Sequence, residues 1–179
     1  MPNASFQLNG QEVFSEASGV VSVGAGFPAG TVLQVQTQEY TTLQQAISTS
    51  TTGAPTGLSV NITPKYSGSK MLVNCAFTAG KDGTNNIVNY YIYRSTGSTA
   101  SSANTTGSYP GSSGYYFNTV SSAVHISLSI LWEDTSENTS LHTYTLYVIS
   151  GSSMTTYLNS RNSTDYTGTS TISVMEIKQ

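Results

Sequence analysis

Residues 123–132 read AVHISLSILW, and their alternation decides the fold class. Val124, Ile126, Leu128, Ile130 and Trp132 fall on one side of an extended chain, with His125, Ser127 and Ser129 on the other. A period of two belongs to a strand with one buried face; a helix would repeat its apolar residues every three or four positions. The same period recurs on both sides of this segment. Leu58, Val60 and Ile62 alternate with Ser59 and Asn61 until Pro64 ends the run, and Met71, Val73, Cys75 and Phe77 face inward in KMLVNCAFTAG. In IVNYYIYR, Val88, Tyr90 and Ile92 oppose Tyr91 and Tyr93. FPAGTVLQVQTQEY (27–40), LHTYTLYVIS (141–150), MTTYLN (154–159) and STISVMEI (170–177) supply further strands. Eight or nine strands spaced by Gly, Ser and Asn turns predict an all-β antiparallel sandwich or jelly roll. A helical period shows only faintly, in TTLQQAI (41–47).

Composition agrees. Charged residues make up 8% of the 179-residue chain against a usual ~25%, and roughly three residues in ten are Ser or Thr. Disordered chains are rich in charge and poor in aromatics, whereas this one carries 12 Tyr, 5 Phe and 1 Trp. A net charge of −3 with six Lys and Arg cannot build a phosphate-tracking groove, so nucleic acid is not an expected partner. No apolar run approaches the ~18 residues of a spanning helix, and MPNASFQLNG has no secretory signal character. A single cysteine allows no internal disulfide, and synthesis in a reducing cytoplasm is expected.

Residues 1–29 differ from the remainder. Two short strand-like pieces, Phe6–Leu8 and Val20–Val23, are joined by polar and small residues and are too short to be stable alone. They read as an N-terminal arm ahead of a β-sandwich domain at 30–179. The closing STISVMEI is apolar on both faces: Ile172 and Val174 alternate with Met175 and Ile177. Such a strand is expected in the core or between a core and another subunit. Lys178, just after it, reads as a surface residue whose truncation is nearly neutral.

FPAGTVLQV, TGLSVNITPKYSGSKMLV, WEDTSENTSLHTYTLYV and STISVMEI, taken in order over residues 27–178, resemble small virion surface proteins of marine and cyanobacterial tailed phages, of the tail-fibre or structural type. The resemblance implies a jelly-roll domain of the TNF/C1q type, a homotrimer with its C-terminal strand near the threefold axis, and attachment to other virion proteins through residues 1–26. The expected function is non-enzymatic: a tail-fibre or receptor-binding tip in the virion that attaches to the host surface. A capsid decoration protein and a secreted carbohydrate-binding or adhesion module are the alternatives.

Candidate sites are few. RSTGSTASSANTTGSYPGSSGYYF (94–117) is uncharged after Arg94 and sets Tyr109, Tyr115 and Tyr116 among Ser and Gly. Rigid aromatics beside adaptable polar neighbours make a recognition loop for a host glycan or protein, and a subunit-contact or mobile loop is the alternative. Glu133, Asp134 and Glu137 cluster after Trp132. Glycosidic catalysis needs two carboxylates across a cleft, so a solvated loop is expected, with calcium bound through Asn138 or Asp165 as the sharper alternative. His125 and His142 read as lying opposite the apolar faces of their strands, short of a zinc ligand set. Cys75 reads as a buried small hydrophobe. No catalytic residue, metal or cofactor is expected.

Overall fold

The structure, a computed structural model, describes residues 4–17, 20–23, 26–42, 45–49, 53–81, 86–96, 112–117, 124–150, 154–160 and 168–179. Every regular element among them is a strand: β1 (Ala4–Leu8), β2 (Gln11–Ala17), β3 (Val20–Val23), β4 (Val32–Tyr40), β5 (Gln45–Thr49), β6 (Ala54–Ile62), β7 (Lys70–Lys81), β8 (Asn86–Thr96), β9 (Ser112–Phe117), β10 (Val124–Thr135), β11 (His142–Ser150), β12 (Met154–Leu158) and β13 (Ser170–Ile177). The faint helical period at 41–47 runs into β5 instead.

β7 is the axis of the larger sheet. One of its edges pairs along its whole length with β10, antiparallel, Lys70 opposite Thr135 and Lys81 opposite Val124. Its other edge pairs with β13 over Lys70–Ala76 and with β12 over Ala79–Lys81. β12 and β13 therefore lie end to end, and so do their outer neighbours β5 and β4. Asn159 stands where both lines break, in a left-handed conformation at φ 61°, which asparagine tolerates better than most residues. Its backbone N–H donates to Thr78 O at 2.8 Å and its side-chain amide to Tyr40 O at 2.7 Å, while Ser170 Oγ donates to Asn159 Oδ1 at 2.5 Å. Buried Asn159 thus ties the ends of β12, β4 and β13 to one another and to β7.

The second sheet runs β6-β11-β8-β9. β6 is an edge, which admits Pro55, and it bulges at Gly57, whose φ of 89° requires glycine. The inward rows of the two sheets form one core, a β-sandwich: Met71, Val73, Cys75, Phe77 and Ile130 against Leu58, Val60, Tyr90, Tyr144 and Leu146. Phe77 meets Tyr90 at 4.9 Å between ring centroids and Trp132 meets Tyr144 edge-on at 5.7 Å, so aromatic pairs bridge the layers at two places.

The N-terminal region is more ordered than two isolated pieces. β1, β2 and β3 form a three-stranded antiparallel sheet, and β2 is the strand of this sheet that sequence patterning missed. Asn9 and Gly10, at φ 51° and 77°, make the two-residue turn that hairpin twist prefers. A register shift after Phe6 leaves Val13 bulged and buried, while Phe6, Leu8 and Phe14 stay exposed. Gly26 N–H donates to Glu12 O at 2.7 Å, and Phe14 packs edge-on against Phe27 at 5.3 Å, so the sheet is tied to the chain that leads into β4.

Candidate functional site

The closing strand carries two surfaces. Ile172 and Val174 are fully buried in the core, and Met175 and Ile177 lie half-buried on the opposite face. Cross-strand partners share a face, so the register defines what surrounds them. Met175 stands between Val35 on β4 and Leu72 on β7, and Ile177 between Val32 and Lys70. Leu131 of β10, on the next row opposite Asn74, is 67% exposed, and Val32 and Val35 are about half exposed. An apolar strip therefore crosses the outside of the sheet that holds the chain's last strand. A Lys70–Glu133 ion pair at 2.9 Å borders it, too exposed to stabilise by much.

Glu176 sits on the inward side of the same strand and is fully buried. It is well satisfied: its carboxylate accepts from Lys65 N–H at 2.8 and 2.9 Å, from Tyr66 N–H at 3.1 Å and from Gln34 Nε2 at 2.6 Å. Charge-assisted bonds of this kind are roughly twice as strong as neutral ones. They pin the loop after β6 to the last strand. Two residues on, Lys178 exchanges backbone bonds with Gly30 and Thr31, donates Nζ to Phe27 O at 2.5 Å and lies 5.7 Å from the Tyr66 ring centroid. The expectation of a dispensable surface lysine is corrected here, because Lys178 fastens the passage from the N-terminal sheet into β4.

Of the acidic cluster after Trp132, Glu133 and Glu137 are solvated as expected, but Asp134 is half-buried near the end of β10. Asp134 and Glu137 accept from Arg94 at 2.9 and 3.0 Å, Arg94 also donates to Thr135 O at 2.8 Å, and Tyr144 OH donates to Asp134 at 2.9 Å. β8 and β11 belong to one sheet and β10 to the other, so this is a clasp between layers. Burial opposes the charge on Arg94, but Asp134 and Glu137 outweigh it and hold its pKa above the usual value. Burial, and then the Asp134 carboxylate, push the Tyr144 phenol up. With Glu133 on Lys70, each acid of the cluster already faces a cation, which removes the basis for a calcium loop; Asp165 lies outside the described residues. Among the described residues no three His, Cys, Asp or Glu side chains are gathered as for a metal.

His142 is a second correction. It lies inward with Tyr144, Leu146 and Val148, fully buried, because β11 buries its even-numbered positions. The strand shows apolar residues at both parities, so periodicity alone could not choose the face. His125 is in β10, opposite Gly80, and the two histidines are on strands of different sheets. Cys75 is buried, and burial pushes its thiol up to about 12. Of the three recognition tyrosines, Tyr115 and Tyr116 fall in β9, opposite Val88 and Ile87, in a strand rather than a loop. Tyr109 lies outside the described residues. A tyrosine ladder that sequence reading did not single out covers the outside of the second sheet: Tyr147 stacks obliquely on Tyr91 at 5.6 Å and on Tyr93 at 5.2 Å.

A comparison with protein-family models finds no match, and a comparison with curated proteins finds none either.

Proposed function

We propose that this chain is a non-enzymatic surface protein of a tailed-phage virion, a homotrimer that displays its outer loops for attachment to a host cell. The observation that carries the assembly reading is the apolar strip of Val35, Met175, Leu72, Ile177 and Leu131, which the described residues leave partly exposed. Strand order supports a jelly roll. With β4/β5 and β12/β13 each taken as one interrupted strand, the sheets become β4/β5, β12/β13, β7, β10 and β6, β11, β8, β9. First and last strands are neighbours and eight strands divide equally, as in two nested Greek keys. The virion setting rests on the sequence resemblance over residues 27–178.

In this reading the N-terminal sheet docks on other virion proteins through residues 1–26, and its exposed Phe6, Leu8 and Phe14 supply the apolar contact. Tyr109, Tyr115 and Tyr116 meet a host-surface glycan or protein, Tyr115 and Tyr116 from β9 at the edge of the second sheet. Sedimentation of the full chain at micromolar concentration tests the assembly: three times 18.9 kDa is expected, and a monomeric mass overturns it. Antibody labelling of intact particles tests the location. Label on the tail is expected; label confined to the head assigns capsid decoration, and unlabelled particles overturn the virion role.

A further inference from the structure

On the open side of the sandwich, between edge strands β4 and β6, lies a groove of about 390 Å³. The core-facing row of β4 runs Gln34, Gln36, Gln38 and Tyr40, opposite Glu176, Val174, Ile172 and Ser170 of β13. Hydrogen-bonding side chains thus stand where a strand of this sandwich otherwise presents apolar ones. Gln34 closes one end, with Nε2 donating to Thr63 O at 2.7 Å as well as to Glu176. Tyr40 closes the other by lying across β6 at Gly57, where even a Cβ would come within 3.1 Å of the phenol oxygen.

Between these ends Gln36, Gln38, Ser59 and Asn61 line the groove, with neither a cation nor a carboxylate among its lining residues. Thr143 Oγ1 donates to Asn61 Oδ1 at 2.7 Å, which leaves the Asn61 NH2 as a donor. Gln38 spends one N–H on Glu39 O at 2.8 Å and keeps its carbonyl as an acceptor. Paired donors and acceptors beside one aromatic ring match the alternating hydroxyls and C–H faces of a sugar, and the volume lies within the range of small-molecule sites. No cation lines the groove to attract an anionic ligand, and Glu39 follows directly on Gln38 in the chain. We infer that this groove binds a neutral saccharide, one or two pyranose units long, and rejects uronates and sialic acids. The inference does not depend on trimer formation or on a virion setting.

Saturation-transfer NMR on the full chain, with glucose, galactose, mannose, maltose, lactose and glucuronate as probes, tests it. At least one neutral sugar is expected to bind with a millimolar constant, glucuronate is not, and the affinity should not change between low and high salt. The Gln36→Ala/Gln38→Ala variant, both sites being exposed, should weaken binding about tenfold or more at an unchanged melting temperature. Titration of the unaltered protein should also shift the Gln36 and Asn61 side-chain amide resonances, a readout independent of any variant. Absence of transfer from every neutral sugar overturns the inference and leaves the glutamines as protection for an edge strand. Equal binding of glucuronate, or amide resonances that stay still while sugar binds, overturns it as well.

Discussion

The two faces of the β4-β13-β7-β10 sheet are built from the same strands and have different fates. Inward, Val174, Ile172, Val73 and Cys75 are covered by the opposite sheet, and the buried Glu176 is matched by two backbone N–H groups and a glutamine. Outward, Met175 and Leu72 are half-buried and Val35 is exposed, and they form a row that no other strand among the described residues pairs over. A strand has no conformational means of favouring one face, so what separates them is what each face packs against. The inner face is finished by the opposite sheet; the outer face is where the proposed trimer would make its contact.

The comparison breaks most sharply at Val174. Val174→Asp places an unpaired carboxylate in the core, at a penalty of several kcal/mol, comparable with the whole stability of a domain. Little or no soluble folded protein is expected; an unchanged thermal melt would show that the inner face is not the core. Alkaline pH tests the same face without mutation. Burial raises the pKa of Cys75 from 9.0 to about 12, and burial likewise raises Tyr90 and Tyr144. These groups are protonated in the folded state at pH values where the unfolded chain has released the proton. Their stabilisation is complete below the unfolded pKa and falls as pH rises above about 9, by up to ~1.4 kcal/mol per pH unit for each group. Melting temperatures between pH 8 and 11 should drop, and Cys75→Ala should delay the onset.

Glu176→Ala removes the acceptor for two part-buried N–H groups and for Gln34, and should cost about 1–3 kcal/mol, read by denaturant unfolding. Glu176→Gln, which keeps one carbonyl oxygen, should cost less. On the outer face, Met175→Asp should leave the fold of a single chain within about 0.5 kcal/mol while abolishing the oligomer in sedimentation. If that variant unfolded instead, the two faces would not be separable. Smallest in the global melt is Lys178→Ala, whose lost bond to Phe27 O, about 1 kcal/mol, loosens the passage into β4 locally. Its signature is faster proteolysis between the N-terminal sheet and β4 at a nearly unchanged global melt.

Much of the strand inventory was legible because alternation is a local signal. VHISLSILW, KMLVNCAFTAG and TGLSVNITP reveal their inward residues without any partner. Other features were hidden for definable reasons. β2 breaks its alternation at a bulge, although Asn9-Gly10 marked the hairpin that contains it. His142 lies on a strand apolar at both parities, so only packing chose its face. Arg94 and the acids after Trp132 are 40 residues apart and read as unrelated until two sheets bring them to 2.9 Å.

Composition and periodicity therefore determined on their own that this chain folds as strands, which residues of most strands face inward, and that its last strand is apolar on both sides. The tertiary structure decided which of those two apolar faces is the core, and that a glutamate in the last strand would be buried yet satisfied. It also decided that amides on β4 would line a groove with β6. The physical reason is range: alternation follows from one residue's relation to the next, while burial and hydrogen bonding depend on strands brought together from distant parts of the chain.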